Sequence, residues 1–142
     1  MKIKTIDEFH IGDREKIVHT ITEDDVRKFI ELTGDLNPLH IDDEFAKQTY
    51  LKKKNSYGML TASFISTLIG TKLPGAGALE VSQNIEFLNP VYIDDTLEIE
   101  GIIKQISKAI QTMVLDISIK NQHGTEVLHS ESIVKLLKLE SR

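Results

Sequence analysis

The amino-acid sequence predicts an α+β protein in which a curved antiparallel sheet wraps around one long, buried helix. Three observations support this expectation. Two short helix patterns lie near the N-terminus, residues 59–71 carry no charged side chain, and from Ala78 onward the apolar residues recur with a period of two. Helices and strands that are segregated along a chain in this way are typical of an α+β architecture.

Length and composition are those of an ordinary globular chain. The 142 residues are 40% hydrophobic and 27% charged, which predicts one domain spanning residues 1–142. With 22 acidic residues against 17 basic ones, the net charge of −5 argues against a protein that binds nucleic-acid phosphates. Because the chain contains no cysteine, disulfide frameworks, thiolate metal sites and a cysteine nucleophile are all excluded.

The N-terminal stretch MKIKTIDEF lacks the apolar segment of a secretory signal. No run in the chain approaches the ~18 apolar residues of a membrane span. Together with the absence of cysteine, this predicts a soluble, cytoplasmic protein with no membrane partner.

The first half of the chain contains one strand pattern and two helix patterns. The strand is expected over residues 16–21. The helix that follows begins after Thr22, which can cap its first turn, and ends at Gly34, a residue suited to a left-handed C-cap. A second short helix is expected to begin after a capping aspartate, either Asp42 or Asp43.

The middle of the chain predicts the buried helix. Apolar or small residues occupy every face of residues 59–71, and a helix of this kind is expected to be buried on all sides. Four strands follow, roughly at residues 78–87, 97–103, 113–119 and 127–137. Strands in direct succession favour antiparallel pairing.

A polar segment, GDLNPLHID at residues 34–42, places an aspartate, an asparagine and a histidine around a proline. Taken alone, it is consistent with a helix C-cap, a turn and the next N-cap. Because Pro38 is expected to break any helix, the spacing of Asp35 and His40 does not fix the distance between them.

Three successive motifs, GDLNPLHID, YGML and LPGAGALEVSQNIEFLNPVYIDD, resemble the signatures of the MaoC-like hydratases. This family includes the R-specific enoyl-CoA hydratases and related (3R)-hydroxyacyl dehydratases. The most specific element is the pattern Asp-x-Asn-x-x-His, formed here by Asp35, Asn37 and His40, and the similarity extends from about Thr5 to the final strand. The resemblance implies a hot-dog fold and assembly as a homodimer or a higher oligomer.

The resemblance also implies an activity: reversible hydration of trans-2-enoyl thioesters to (3R)-3-hydroxyacyl thioesters. The substrate is carried on coenzyme A or on an acyl carrier protein, with no further cofactor and no metal. Hydration needs a base that activates water, an acid that protonates the α-carbon and donors for the enolate oxygen. The resemblance assigns the proton transfers to Asp35 and His40, and Asn37 is expected to orient the water.

Gly58 is expected to supply the oxyanion donor through its backbone N–H, because it stands where the long helix begins. Four other residues are expected to contact the substrate: Ser66, Tyr57, Phe64 and Lys53. Ile65 and Leu68 join Phe64 as candidates for lining an acyl tunnel. Tyr57 departs from the family pattern, since many relatives have a histidine before the glycine, and it is expected to affect substrate preference.

A run of lysines at residues 52–54, with Lys47 nearby, precedes Gly58. It has two interpretations. One is an ordinary solvated surface, and the other is a binding site for the phosphates of coenzyme A or for the acidic face of an acyl carrier protein.

Two other function classes are compatible with a chain of this kind. A hot-dog acyl-thioesterase needs a carboxylate on or beside the central helix, and residues 59–71 contain none. A non-catalytic acyl-thioester binding domain would not need Asp35 and His40. The remaining histidines lack metal-ligand spacing, so surface or strand positions are expected for His10, His19, His123 and His129.

Overall fold

The computed structural model describes residues 2–140. Within these residues, a 3₁₀ turn at Ile6–Glu8 precedes five strands and four α-helices. In chain order they are β1 (Arg14–Thr20), α1 (Glu23–Thr33), α2 (Pro38–Ile41), α3 (Asp43–Lys47), α4 (Gly58–Thr71), β2 (Ala78–Phe87), β3 (Thr96–Ser107), β4 (Thr112–Lys120) and β5 (Glu126–Leu136). No helix among them is both long enough and apolar enough to span a membrane.

One antiparallel sheet contains all five strands in the order β1-β3-β4-β5-β2. The long strands β3, β4 and β5 form its centre, and β1 and β2 form its edges. β2 pairs with β5 rather than with β3, so residues 88–95 carry the chain across the sheet. The predicted α+β fold, a long helix against a curved antiparallel sheet, is confirmed.

The core forms where α4 packs against alternate side chains of the central strands. Fully buried members include Ile65 and Leu68 of α4 and, from the strands, Leu97, Ile99, Leu115, Ile117 and Ile119. Gly101 in β3 faces the helix, and a Cβ atom at this position would lie 3.0 Å from Cδ2 of Leu68. The missing side chain therefore lets the helix approach the sheet closely.

One face of α4 is exposed in the single chain, so the expectation that this helix is buried on all sides was wrong. Met59 is 59% exposed. Ser63, Ser66 and Gly70 follow it at helical spacing and are exposed as well. The reason is geometric, because one sheet covers one side of a helix. An uncharged sequence does not reveal whether a second layer covers the other side.

Helices α1 and α3 begin at predicted caps, and α1 ends at the predicted glycine. The Thr22 hydroxyl accepts a 3.0 Å hydrogen bond from the N–H of Asp25, and Gly34 ends α1 in the left-handed conformation with φ of 70°. The carboxylate of Asp42 caps α3, where it accepts a 3.0 Å bond from the N–H of Glu44. Of the two capping aspartates expected from the sequence, Asp42 is the one used.

Pro38 begins a helical turn, contrary to the expectation that it breaks any helix. It is the first residue of α2, where its missing N–H costs no hydrogen bond and its fixed φ suits the helix. Asn37 is the N-cap, and its side-chain oxygen accepts a 3.1 Å bond from the N–H of Leu39. This turn sets the path of the chain between Asp35 and His40, which the sequence left open.

Candidate active site

The turn at α2 brings two of the sequence-predicted catalytic residues to one cleft. Asp35 and His40 both line a cavity of about 500 Å³ at the beginning of α4. The other residues that line it are Phe29, Thr33, Tyr57, Gly58 and Met59. An acidic group, an imidazole and the first turn of a helix therefore meet at one place in the fold.

The half-buried ring of His40 is oriented by a backbone contact. Its Nδ1 lies 2.8 Å from the carbonyl oxygen of Asn55. Because a carbonyl oxygen only accepts hydrogen bonds, Nδ1 carries a hydrogen and donates it. In the neutral ring the lone pair is then on Nε2, so Nε2 is the nitrogen that can accept a proton from water.

Asp35 is held by its backbone and by its side chain. Its carboxylate Oδ1 accepts a 3.1 Å hydrogen bond from the N–H of Asn37. Its carbonyl oxygen accepts a 2.6 Å bond from the hydroxyl of Tyr57. The residue is exposed, so its second carboxylate oxygen can reach solvent or a substrate.

Asn37 caps the short helix α2. Its side-chain oxygen is occupied by the N–H of Leu39, and Asn37 does not line the cleft among the residues described. The structure thus gives Asn37 a capping role that shapes the loop. A direct contact between its amide nitrogen and the water stays a prediction.

Gly58 is the first residue of α4, so its N–H cannot be satisfied inside the helix and points out of its N-terminus. A Cβ atom at this position would lie 2.9 Å from Cε1 of Phe87. A side chain at this position would therefore have to displace the ring of Phe87, and the missing side chain also leaves the N–H accessible to a carbonyl oxygen.

Tyr57 is almost completely buried, with 2% of its surface exposed. Its ring centroid lies 4.1 Å from that of His40 and 4.9 Å from that of Phe29. Burial, and then the negative charge of Asp35, raise the pKa of its phenol. The hydroxyl is committed to the backbone of Asp35, so the contact it can make with a substrate is through its ring.

The other predicted substrate contacts lie outside the cleft in this chain. Ser66 is on the exposed face of α4. Phe64 stacks on the ring of His19, with a centroid distance of 4.2 Å. The structure thus does not bring these side chains to Asp35 and His40. The tunnel candidates Ile65 and Leu68 are fully buried core residues.

The lysines before Gly58 lie on the surface and make modest contacts. Nζ of Lys53 is 4.0 Å from the centroid of the Tyr92 ring, and Lys54 lies 3.9 Å from a carboxylate oxygen of Asp43. Lys47 pairs with the carboxylate of Glu44 at 3.0 Å. Exposed ion pairs and cation–π contacts of this kind are weak, so the lysine ammonium groups remain able to bind an anion.

The sequence did not identify several residues of the site. Asn55 contributes a backbone carbonyl, and no side-chain pattern can reveal a backbone partner. Phe29 and Thr33 are in the last two turns of α1, which the chain reversal at Gly34 places beside α4. One signal could have found them: they are four residues apart, so they lie on the same face of α1, and α1 ends directly before the polar segment.

Solved structures first define the fold class. The (R)-hydratase of Aeromonas caviae involved in PHA biosynthesis is 30% identical, with a TM-score of 0.86, covering 91% of this chain and 98% of that chain. R-hydratase PhaJ1 from Pseudomonas aeruginosa is 27% identical with a TM-score of 0.86, covering 97% and 92% respectively. Together with the helix and sheet described above, these likenesses confirm the hot-dog fold.

Sequence comparison then gives the family. The family model described as MaoC like domain matches residues 12–125. The (R)-specific enoyl-CoA hydratase of Aeromonas caviae is 34% identical over 128 residues, which cover 89% of this chain and 94% of that protein. The chain belongs to the MaoC-like family.

Other relatives match over shorter segments. The (R)-specific enoyl-CoA hydratase of Rhodospirillum rubrum is 42% identical over 86 residues, which cover 61% of this chain and 60% of that protein. The 3-hydroxybutyryl-CoA dehydratase of Methylorubrum extorquens is 36% identical over 100 residues, covering 70% and 64%. The chain thus spans less than two thirds of the length of these two relatives, whose names are those of hydro-lyases.

Proposed function

We propose that this protein catalyses the reversible hydration of trans-2-enoyl thioesters to (3R)-3-hydroxyacyl thioesters. The observation that carries the proposal is the meeting of Asp35, His40 and the N-terminus of α4 around one cleft. The names of the hydratase and dehydratase relatives support the same reaction class. The substrate is carried on coenzyme A or on an acyl carrier protein, and no further cofactor and no metal take part.

The geometry suggests how the proton transfers are arranged. Nε2 of His40 accepts a proton as the water oxygen bonds to C3 of the enoyl group. The electrons of the double bond shift towards the thioester oxygen, which becomes an enolate oxygen facing the N–H of Gly58. C2 then takes a proton from the carboxyl group of Asp35, and the proton held by His40 passes through solvent to Asp35, so that both residues return to their starting forms. The hydrogen bond from Nδ1 of His40 to the backbone carbonyl of Asn55 keeps the imidazole in the tautomer that these proton transfers need.

A thioesterase is the second candidate, because one observation favours it. The central helix itself contains no carboxylate, but Asp35 is tied to Tyr57, the residue directly before α4. A carboxylate therefore lies beside the beginning of the helix, where it could direct water at the thioester carbonyl carbon. The two reactions differ in the bond that breaks, so one assay separates them.

The assay uses crotonyl-CoA and follows the enoyl absorbance and the free thiol together. Hydration removes the enoyl chromophore and releases no thiol. Hydrolysis releases thiol, and a non-catalytic binding domain changes neither signal. Coupling to stereospecific 3-hydroxyacyl-CoA dehydrogenases then determines whether the product is (3R). Thiol release without a hydrated product would contradict the proposal.

We also propose that the protein is a homodimer that pairs through β2. This ten-residue strand lies at an edge of the sheet, and its exposed residues include the apolar Leu79, Val81 and Phe87. The opposite edge, β1, begins with the charged residues Arg14 and Glu15. A long edge strand with exposed apolar side chains favours pairing with another strand, whereas the charged residues at the start of β1 discourage it. A cytoplasmic location is compatible with this proposal and with the carriers named above.

A further inference from the structure

Asp35 lies in an exposed loop directly after a glycine that its neighbours leave uncrowded. Gly34 has a φ of 70°, and a Cβ atom built on it would meet nothing within 4 Å. Glycine permits a wide range of backbone conformations. Because close packing does not restrain the chain at Gly34, the direction of Asp35 has to be fixed by specific hydrogen bonds.

Thr33 provides one of these bonds across the glycine. Its Oγ1 accepts a 3.3 Å hydrogen bond from the N–H of Asp35. The same hydroxyl donates a 2.7 Å bond to the carbonyl oxygen of Phe29, one turn earlier in α1. A hydroxyl has a single hydrogen, so the bond to Phe29 fixes its rotation and leaves a lone pair for the N–H of Asp35. Thr33 thereby links Asp35 to the end of a regular helix.

Thr33 is one of four residues that line the cleft and form a closed ring of contacts. Thr33 holds the N–H of Asp35, and the hydroxyl of Tyr57 holds its carbonyl oxygen. The ring of Tyr57 packs 4.9 Å from that of Phe29, whose carbonyl oxygen accepts the hydroxyl of Thr33. Both peptide groups that flank the Cα atom of Asp35 are therefore held, one from α1 and one from the residue before α4.

The position of Thr33 on the cleft indicates an indirect role in the reaction. Its one hydroxyl hydrogen is committed to the backbone of Phe29, so it has none to donate to a substrate. Within residues 2–140, the carboxyl group of Asp35 is bonded by a single group, the N–H of Asn37. The place of this carboxyl group therefore depends on how the two peptide groups beside it are held.

We infer that Thr33 is a positioning residue for the proposed hydration, and that its hydroxyl keeps the carboxyl group of Asp35 directed into the cleft. This inference rests on the proposed function. Proton transfer requires the donor and the acceptor to lie within hydrogen-bond reach, so a small rotation at Gly34 is enough to lower the rate. Substrate binding involves mainly the acyl chain and the carrier, so it depends little on this rotation.

Three variants separate the hydroxyl of Thr33 from the shape of its side chain. Thr33→Val keeps the shape and removes the hydroxyl, whereas Thr33→Ser keeps the hydroxyl and removes the methyl group. Thr71→Val is the matched control, because Thr71 ends α4 as Thr33 ends α1. The hydroxyl of Thr71 also donates to a carbonyl oxygen one turn earlier, that of Thr67 at 2.6 Å, and Thr71 does not line the cleft.

In steady-state hydration of crotonyl-CoA, Thr33→Val is expected to lower kcat about threefold to tenfold and to leave KM nearly unchanged. Thr33→Ser should restore most of the wild-type kcat, and Thr71→Val should match the wild type. Once Asp35→Asn is present, adding Thr33→Val should cost almost nothing more. The inference is overturned if Thr33→Val keeps the wild-type kcat, if Thr33→Ser is equally slow, or if the effects of Asp35→Asn and Thr33→Val are fully additive.

A second measurement, made without substrate, distinguishes a failure of this inference from a failure of the proposed function. Amide hydrogen exchange, followed by NMR, reports on the bond to the N–H of Asp35. Thr33→Val should speed exchange at Asp35 about twofold to tenfold, whereas Thr33→Ser and Thr71→Val should keep the wild-type rate. Unchanged exchange in Thr33→Val would overturn the inference. If exchange responds as expected but the wild-type protein does not hydrate crotonyl-CoA, the proposed function fails and the hold of Thr33 on Asp35 stands.

Discussion

The hydroxyl of Tyr57 donates a 2.6 Å hydrogen bond to the backbone carbonyl of Asp35, a residue 22 positions away in the sequence. The bond ties the loop before α2 to the residue that precedes α4. Because the ring of Tyr57 also packs 4.1 Å from that of His40, one buried side chain supports both proposed proton-transfer residues. Tyr57 is therefore a positioning residue in the proposed reaction.

Tyr57→Phe removes this hydrogen bond and keeps the ring contacts. We expect kcat to fall about threefold to tenfold, because the carbonyl of Asp35 loses its partner and the loop becomes less restrained. KM should change little. The check is a double-variant cycle: once Asp35→Asn is present, adding Tyr57→Phe should cost almost nothing more. Fully additive effects would assign Tyr57 a role that is independent of Asp35.

Asp35→Asn and His40→Ala should each lower kcat for crotonyl-CoA hydration by about 10²–10⁴-fold. KM should change far less, since binding involves mainly the acyl chain and the carrier. Because both residues act on one transition state, the double variant should be little worse than the poorer single variant. Asn37→Ala should be milder, because its side chain caps α2 and transfers no proton.

Steady-state kinetics on these four variants, with circular dichroism as the test of folding, provide the measurement. If Asp35→Asn and His40→Ala both keep more than about a tenth of the wild-type kcat, the hydratase mechanism is wrong. The polar segment would then be only a turn and a helix cap, which is what its residues suggest in isolation.

Substitutions at Gly58 distinguish the role of its backbone N–H from the effect of its missing side chain. Any side chain here meets Phe87, so both test variants carry Phe87→Ala to provide space. Gly58→Ala should then retain most activity, whereas Gly58→Pro should abolish turnover, because proline lacks the N–H. Proline is compatible with the first position of a helix, so the fold should survive. Equal activity in the two variants would place the oxyanion donor elsewhere.

The proposed dimer predicts a mass of about 32 kDa in light scattering at micromolar concentration, twice the 16.0 kDa of one chain. Val81→Lys, on the exposed edge strand β2, should reduce the mass to that of a monomer. Val18→Lys is the matched control, because Val18 is similarly exposed on β1 at the opposite edge. A wild-type mass near 16 kDa, or a monomer produced by the control, would refute pairing through β2.

Two ionisable residues on the outer face of the sheet, His129 and Glu126, are expected to make the stability of the fold depend on pH. A hydrogen bond with Glu126, and then the charge of Asp116, raise the pKa of His129 above its ordinary 6.5. The pKa of Glu126 is lowered from 4.5, chiefly by a hydrogen bond from Ser118 and then by His129. The histidine stabilises the fold below pH 6.5 and loses this effect as the pH rises through its raised pKa. The carboxylate contributes above pH 4.5 and loses its effect as the pH falls.

The difference in Tm between the wild-type protein and His129→Gln should therefore be largest between about pH 4.5 and 6.5, and should shrink at alkaline pH. His129 is more than one third exposed, so solvent screening keeps the effect small. His10→Gln is the control, since His10 is exposed and 3.9 Å from its nearest carboxylate partner. A difference that grows towards pH 9 would contradict the prediction.

Local signals in the sequence determined most of the fold. Thr22, Gly34 and Asp42 end or begin helices where the sequence predicts, because a cap depends on a few neighbouring residues. The period-two pattern predicted the strands, because the alternation of side chains is a property of each strand alone. Pro38 was misjudged, since the same residue breaks a helix interior and favours a first turn.

The motif in the polar segment determined which residue types are present: an aspartate, an asparagine, a histidine and, further along, a glycine. Only the tertiary structure decided what each of them contacts. The bond from Tyr57 to Asp35, the carbonyl of Asn55 at His40 and the packing of Phe87 against Gly58 all join segments that are distant in the sequence. Such contacts depend on how α1 and β2 are placed beside the beginning of α4. That placement is set by packing of the whole core, which no local pattern in a single sequence encodes.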